Sequence, residues 1–238
     1  MKSAIITGAS SGIGFAIARE LGRNGYALTV TSRRQDRLSL AADRLRAENF
    51  IVEDIALNMA DEEAAVKVVA RHEERFGRLD VLVNNAGMGV PGELDAVSVK
   101  HIDLQLAVNL RAVILGYRAA LPLLRVAGAK HGNALVVNTA SVTAIRPEPL
   151  MAMYATTKAA IVGLTRAMNL DLGDAGIKST ALCPGRVATE MTSDQHGHTA
   201  PEQMISAEDV ASAVGWLLTL SSQCVVPEIP FLRPGNKG

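Results

Sequence analysis

Aromatic residues are scarce in this sequence: they make up 3% of its 238 residues, whereas hydrophobic residues of all kinds make up 48%. The core must therefore be built from aliphatic side chains and many alanines, whose small size lets helices pack closely on a sheet. The length exceeds the usual size of a domain but stays within what one α/β domain can hold, so we expect a single domain over residues 1–238.

Cysteine is also scarce. Cys183 and Cys224 each lie in an apolar stretch and are too few for a disulfide scaffold or a metal cage, so we interpret both as buried core thiols. The histidines are scattered, and although His196 and His198 flank Gly197, no carboxylate or thiol cluster accompanies them. No metal site is predicted.

The sequence has no excess of either charge, because 24 basic side chains balance 24 acidic ones. It therefore lacks the field that would attract nucleic acid or an anionic bilayer. No apolar run reaches the roughly 20 residues that span a membrane, and the first predicted strand begins almost at Met1, which leaves no room for a signal peptide. We expect a cytoplasmic protein without nucleic-acid or membrane partners.

Short apolar, β-branched runs alternate with segments of helical spacing along the whole chain. The predicted strands cover residues 4–7, 27–31, 51–55, 81–83, 135–138, 179–183 and 225–229. The predicted helices cover residues 15–21, 38–46, 62–76, 102–124, 154–172 and 207–220. Several strands are apolar at consecutive positions, as in the A-I-I that begins at Ala4, which indicates strands covered on both faces. The predicted fold is a doubly wound, Rossmann-like α/β domain with a seven-stranded parallel sheet and helices on both faces.

A glycine-rich segment, T-G-A-S-S-G-I-G, connects the first strand to the first helix. Gly8 permits a tight exit from the strand, Gly12 lets the backbone approach a pyrophosphate, and Gly14 lets the helix press on the sheet. The open N–H groups of a helix N-terminus favour an anion. The spacing differs from G-x-G-x-x-G, but the position between strand and helix predicts a dinucleotide site. The predicted turn comprises Gly8, Ser10, Ser11, Gly12, Ile13 and Gly14.

The end of the second strand reads T-S-R-R. An NAD-selective site places a carboxylate here to accept a hydrogen bond from the ribose 2′-OH. This chain has Ser32 near that position, followed by Arg33 and Arg34, so a 2′-phosphate would meet guanidinium groups. NADP(H) is the predicted cofactor, with Arg33 the stronger candidate. The alternatives are that these arginines, with Arg37, form a solvated first turn of the second helix, and that the protein uses NAD.

Tyr154 and Lys158 are four residues apart on a predicted helix, so their side chains share one face. Ser141 follows the fifth strand. A phenol is a weak acid at neutral pH, but a neighbouring ammonium favours the phenolate and lowers the pKa of the phenol. The pair can therefore transfer protons.

Together these residues resemble the short-chain dehydrogenase/reductase family, in its compact form, over nearly the whole chain. The motifs that carry the resemblance are T-G-A-S-S-G-I-G from Thr7, N-N-A-G from Asn84, a helical Asn109, Ser141, Y-A-T-T-K from Tyr154 and P-G-R-V-A-T from Pro184. The resemblance implies an oxidoreductase that transfers a hydride between NADP(H) and a carbonyl or secondary alcohol. Ketones, 3-oxoacyl thioesters, and sugar or steroid alcohols all remain open as substrates.

The resemblance also implies roles for individual residues. Tyr154 would donate the proton to the carbonyl oxygen, and Ser141 would hydrogen-bond the same oxygen. Lys158 would bind the nicotinamide ribose and lower the pKa of the tyrosine, while Asn109 would hold a water that relays protons. Further residues implied to contact the cofactor are Asn58, Asn85, Ala86, Gly87, Pro184, Gly185, Val187 and Thr189.

The substrate should bind beyond the carboxyl ends of the strands, between residues 88–92, 142–153 and 186–203. Apolar residues dominate there, whereas Arg146 and Arg186 could hold an anionic group or form surface ion pairs. The polar stretch 189–201 is typical of a lid, and the substrate loop is expected at about 186–203. The resemblance further implies a homodimer or homotetramer formed through the long central helices. A non-catalytic NADP-binding regulator with the same fold is the alternative from another functional class.

Overall fold

A computed structural model of the chain describes residues 1–190 and 201–235. The strands are β1 (Ser3–Thr7), β2 (Ala27–Ser32), β3 (Val52–Ala56), β4 (Val81–Asn84), β5 (Ala134–Thr139), β6 (Ile177–Pro184) and β7 (Glu228–Phe231). The helices are α1 (Gly12–Arg23), α2 (Gln35–Ala47), α3 (Ala64–Phe76), α4 (Val99–Leu106), α5 (Ala112–His131), α6 (Ala152–Leu172) and α7 (Ala207–Leu217), and a π-helical turn over Ala107–Arg111 joins α4 to α5.

All strands pair in parallel, in the order β3-β2-β1-β4-β5-β6-β7. The chain winds outward from β1 to β3 and then returns to place β4 on the other side of β1. This reversal leaves a crevice beyond the carboxyl ends of β1 and β4, where open α/β sheets bind their ligands. The predicted doubly wound fold is confirmed.

Two apolar layers explain why strand residues are apolar at consecutive positions. Ile6 of β1 packs in the layer beneath α1, α2 and α7, whereas Ile5 packs in the layer beneath α3, α5 and α6. Both side chains are fully buried. A strand covered on both faces cannot alternate apolar and polar residues, because each of its faces meets a helix.

The carboxyl-terminal part of the chain differs from two predictions. Cys183 is a buried thiol in β6, as expected, but Cys224 is exposed, so its interpretation as a core residue is wrong. The apolar run around Cys224 belongs to the turn after α7, and β7 begins only at Glu228, three residues later than predicted. Strand β7 lies at the edge of the sheet, where Pro230, which lacks an N–H, is tolerated.

The helical segment Val99–His131 is longer than the predicted helix. By length and composition alone it is apolar enough to cross a membrane, and half of its most apolar stretch is buried inside the protein. Charged and polar residues interrupt this segment, so it contains no unbroken apolar run of about 20 residues. Core helices of soluble proteins have the same length and composition, so this segment is weak evidence for a membrane span.

Candidate active site

The glycine-rich turn adopts the conformations that its sequence predicts. Gly8 and Gly12 have φ angles of +68° and +54°, which favour glycine. A Cβ on Gly14 would lie 2.3 Å from the carbonyl oxygen of Gly8, so only glycine lets α1 approach the end of β1 this closely. A Cβ on Gly12 would lie 2.9 Å from the Thr189 side chain and would fill the cradle in front of the helix N-terminus.

Asn85 ties together the carboxyl ends of three strands. Its backbone N–H donates to Thr7 Oγ1 at 2.9 Å, its side-chain amide donates to the carbonyls of Thr7 and Gly8 at 3.1 and 3.2 Å, and Thr139 Oγ1 donates to its Oδ1 at 3.0 Å. The amide therefore fixes β1, β4 and β5 relative to one another at the point where they meet the crevice.

A cavity of about 300 Å³ lies at the carboxyl ends of β1, β4, β5 and β6. The predicted residues that line it are Gly8, Ser10, Ser11, Gly12, Ile13, Asn85, Ala86, Gly87, Ser141, Tyr154, Lys158, Pro184, Gly185, Val187 and Thr189. The predicted residues outside its lining are Gly14, Ser32, Arg33, Arg34, Asn58 and Asn109. One cavity thus joins the glycine turn to the proposed proton-transfer residues.

Lys158 and Tyr154 meet in this cavity because they lie one turn apart on α6. The Lys158 side chain is 3% exposed, and its Nζ donates a 2.7 Å hydrogen bond to the carbonyl of Thr139. The same Nζ lies 5.6 Å from the centroid of the Tyr154 ring. Ser141, which follows β5, lines the same cavity as Tyr154.

The expected lowering of the tyrosine pKa is wrong for this structure. Burial raises the pKa of Tyr154, the neighbouring Ser141 hydroxyl lowers it only in part, and the carboxylate of Glu148 raises it further. Burial also lowers the pKa of Lys158 to about 8. Desolvation penalises both charged forms, and it is the largest cause of both shifts. Tyr154 is therefore a neutral phenol with a proton to donate.

Asn109 lies in the π-helical turn and is 1% exposed. Its amide pairs with both backbone groups of Met88, accepting from the N–H and donating to the carbonyl, each at 2.8 Å. It also donates to Thr157 Oγ1 at 3.1 Å. Gly87 separates Asn109 from Lys158: a Cβ there would lie 3.4 Å from Asn109 Oδ1 and 3.2 Å from Lys158 Nζ. Single-turn π-bulges of this kind are frequent at functional sites.

The polar residues after β2 differ in whether their side chains form ion pairs or hydrogen bonds. Arg34 pairs with Asp36 at 2.7 Å, and Arg37 pairs with Glu190. Arg33 is exposed and has no hydrogen-bond or ion-pair partner among residues 1–190 and 201–235. Within the same described ranges, the buried Oγ of Ser32 also lacks a hydrogen-bond partner. An unpaired guanidinium beside an unpaired buried hydroxyl fits a phosphorylated ribose.

Asn58 follows β3 at the same end of the sheet. Its Oδ1 accepts from the N–H of Ala60 at 3.3 Å, and its Nδ2 donates to Asp61 at 3.2 Å. These bonds close the turn before α3. The structure thus gives Asn58 a local role in shaping this turn, in addition to the cofactor contact that the family resemblance implies.

The segment after β6 is held in place by a second chain segment. Val187 forms a parallel bridge with Ile205, and the N–H of Gly185 donates to the carbonyl of Phe231 at 3.0 Å. Arg186 lies 4.0 Å from Glu148, whereas Arg146 is exposed. The central part of the predicted lid, residues 191–200, lies outside the described residues, as do His196 and His198. No cluster of metal-ligating side chains occurs among the residues that the structure describes.

Four residues that shape the site were not named individually from the sequence, although Thr143 lies within the predicted lining 142–153. Thr139 and Ala140 line the cavity, and Thr143 donates a hydrogen bond to Ser141. Thr157 connects Asn109 to the backbone of Tyr154, because its hydroxyl donates to the Tyr154 carbonyl at 2.8 Å. Their only sequence signal is proximity to Ser141 and to Lys158.

The glycine cradle, the unpaired polar side chains of Ser32 and Arg33, the buried Lys158 and the half-buried Tyr154 fit a nicotinamide dinucleotide, and comparison with known proteins agrees. The family model for short chain dehydrogenases matches residues 2–199, so the chain belongs to this family of oxidoreductases. Over 230 residues it is 36% identical to 2-(R)-hydroxypropyl-CoM dehydrogenase of Xanthobacter autotrophicus, a match that covers 91% of this chain and 90% of the relative.

Two solved structures are similar throughout. An alcohol dehydrogenase from Thermococcus sibiricus, complexed with 5-hydroxy-NADP, is 34% identical with a TM-score of 0.87, and the match covers 98% of this chain and 96% of the other. A 3-ketoacyl-(acyl-carrier-protein) reductase from Brucella melitensis, complexed with NADH, is 28% identical with a TM-score of 0.86 and 96% coverage of both chains. The chain is thus similar to enzymes solved with either type of cofactor.

Proposed function

We propose that this chain is an NADP(H)-dependent oxidoreductase that interconverts a carbonyl compound and a secondary alcohol. The observation that carries the proposal is the meeting of Ser141, Tyr154 and Lys158 in the cavity that the glycine turn also lines. A dinucleotide at that turn would extend towards a neutral phenol and a hydrogen-bonding hydroxyl, the two groups that carbonyl reduction requires.

The side chains divide the work between them. Bound nicotinamide supplies or accepts the hydride. Ser141 Oγ accepts hydrogen bonds from the backbone N–H and the hydroxyl of Thr143, at 3.2 and 3.0 Å, so its own proton remains available for the substrate oxygen. Tyr154 donates its proton to the same oxygen during reduction and takes it back during oxidation. Lys158 and Asn109 lie on either side of Gly87, where a proton can be passed on towards solvent.

The preference for NADP(H) rests on Arg33. Its guanidinium is available to a 2′-phosphate, whereas Arg34 is occupied by Asp36. No carboxylate stands at Ser32 to repel that phosphate. The Thermococcus sibiricus enzyme, which was solved with 5-hydroxy-NADP, supports the same cofactor class. An NAD-dependent dehydrogenase is the alternative, because the similar Brucella melitensis reductase was solved with NADH.

A substrate screen that follows NADPH absorbance tests the proposal directly. We expect turnover of at least one class of ketone or 3-oxoacyl thioester. Tyr154→Phe should reduce that turnover by about 10²–10⁴-fold, because it removes the proton donor. Tyr26→Phe is the matched control, since Tyr26 precedes β2 at the opposite end of the sheet. Equal turnover by the two variants would show that Tyr154 is not the donor.

We also propose that the chain forms a single cytoplasmic domain and assembles into a homodimer or homotetramer through α4, α5 and α6. The support is the apolar outer surface of these helices, where Leu170 is 88% and Val99 71% exposed. Leu170→Arg should dissociate the assembly in light scattering, whereas Leu40→Arg, at an exposed position on α2, should not. A monomeric wild-type protein would disprove this part of the proposal.

A further inference from the structure

The segment of residues 88–92 forms one wall of the site beside Tyr154. Met88 lines the cavity. A Cβ on Gly89 would lie 3.3 Å from Cδ2 of Tyr154 and 3.5 Å from Cε of Met151, so the backbone of Gly89 packs directly against the aromatic ring of the proposed proton donor. Any movement of this segment changes the space available to a substrate next to the Tyr154 hydroxyl.

Alternate residues of the segment are anchored by three different groups. Met88 is held by Asn109 through both backbone groups. The N–H of Val90 donates to Oε1 of Gln105 at 3.2 Å. The N–H of Gly92 donates to the carbonyl of Leu150 at 2.8 Å. Gln105 thus supplies the middle anchor, one helical turn before Asn109.

Gln105 is an unusual residue for its position. It is fully buried, and its Nε2 has no hydrogen-bond partner within residues 1–190 and 201–235. A buried amide with unpaired N–H groups destabilises a fold, so an apolar side chain of similar length would suit the packing better. Its one hydrogen bond goes to Val90 in the wall of the site. A polar group that stability does not require, bonded to the site, indicates a functional reason for its presence.

We propose that Gln105 is a positioning residue that fixes the distance between the 88–92 wall and Tyr154 and thereby orients the carbonyl substrate. The proposal rests on the function proposed above. Gln105 acts through Val90 and does not touch the substrate, while Asn109 holds Met88 independently. Loss of the Gln105 anchor should therefore impair substrate binding and leave cofactor binding intact.

Gln105→Met tests this assignment, because methionine matches the length of glutamine and removes both the anchor and the unpaired N–H groups. We expect the KM for the carbonyl substrate to rise about fivefold, the effect of one lost hydrogen bond. The Kd for NADPH should change by less than about twofold. The Tm should stay equal or increase, and amide hydrogen exchange over residues 88–92 should become faster. A purely structural role would instead lower the Tm.

Gln105→Glu provides the conservative comparison. A buried carboxyl group stays protonated towards neutral pH and keeps an acceptor oxygen for the Val90 N–H. The KM of the Gln105→Glu variant and its amide hydrogen exchange over residues 88–92 should remain close to the wild-type values at mildly acidic pH. If the methionine variant does not fold, the glutamate variant still tests the proposal. Faster exchange in the glutamate variant than in wild type would then overturn the proposal.

Two results with the methionine variant would overturn the assignment: an unchanged KM with unchanged exchange, or a lower Tm with parallel losses of substrate and cofactor binding. Absence of turnover by the wild-type protein on every substrate would disprove the proposed function separately. In that case hydrogen exchange over residues 88–92 still decides whether Gln105 anchors the wall, since it requires no substrate.

Discussion

Lys158 donates a 2.7 Å hydrogen bond to the carbonyl of Thr139, which fixes its ammonium against the end of β5. The lysine is therefore held by the sheet before any ligand arrives. Burial at this position lowers its pKa to about 8. Burial of the charged Lys158 ammonium should destabilise the fold. The pH dependence of the free energy of unfolding measures this destabilisation.

Lys158→Met should remove a specific pH dependence of stability. Between about pH 8 and about 10.5 the native lysine is neutral while the unfolded lysine is still protonated, so the unfolded state binds more protons and stability rises with pH. Over this window the free energy of unfolding of the wild type should gain about 3 kcal/mol relative to the variant. Urea unfolding across the window measures it, and parallel pH curves for the two proteins would contradict the expectation.

Arg33→Asp should change the cofactor preference. The carboxylate repels a 2′-phosphate and can accept from a ribose 2′-OH, so the Kd for NADPH should rise roughly tenfold to a hundredfold while NADH binds as well or better. Arg34→Ala should have the smaller effect, because that side chain is paired with Asp36. Arg125→Asp, an exposed change on α5, controls for net charge. Fluorescence titration with both cofactors gives the values, and equal losses at Arg33 and Arg125 would refute a direct phosphate contact.

Gly14→Ala should damage both stability and cofactor binding. Its new Cβ would meet the Gly8 carbonyl oxygen and, at 2.4 Å, Nδ2 of Asn85, so the phosphate-binding turn must move. We expect a loss of about 1–3 kcal/mol in the free energy of unfolding, together with weaker NADPH binding. Gly22→Ala on the same helix is the control. Its Cβ would meet the Phe50 ring, so stability should fall while the Kd for NADPH stays near wild type.

Asp80→Asn should weaken the opposite end of the sheet. Asp80 is 1% exposed, and although burial raises the pKa of this carboxyl, hydrogen bonds from Arg78, the Ser3 N–H and His131 lower it on balance. The charged form stabilises the native state above the unfolded pKa, and this contribution is lost as pH falls through the native pKa. We expect the variant to lose about 3–5 kcal/mol near neutral pH.

Acid unfolding of the Asp80→Asn variant provides the check. The difference in stability between wild type and variant should shrink as the pH falls. Cofactor binding to the folded variant should be unchanged, because Asp80 precedes β4 and lies a whole strand length from the crevice. A difference that is constant from neutral to acidic pH would show that the carboxylate is not the source of the stabilisation.

The fold was predictable because its signals are local. Consecutive apolar residues marked several of the buried strands, and the glycine turn marked where β1 ends and α1 begins. The predicted bounds of β7 were wrong because tertiary contacts decide them. Cys224 lies in an apolar run that forms a turn, since β7, which pairs with β6, starts only at Glu228. Apolar composition alone cannot distinguish such a turn from an edge strand.

The residues that meet in the cavity were predictable as a set, but their physical state was not. Sequence spacing places Lys158 beside Tyr154 and therefore suggests a lowered tyrosine pKa. The opposite shift arises from burial, which depends on every element that covers the pair. The link from Gln105 to Val90 likewise joins residues that no local pattern connects, and the π-helical turn has no compositional signature.

The π-helical turn over Ala107–Arg111 has one more consequence for how this molecule can change. Such a turn takes up a single extra residue while the α-helical stretches before and after it keep their packing. Shortening this turn by one residue should therefore leave a continuous helix against the sheet and withdraw only the Asn109 amide from Met88. The packing of the helix does not require the contact between Asn109 and Met88, so a homologue could lose its activity through one deleted codon and still fold.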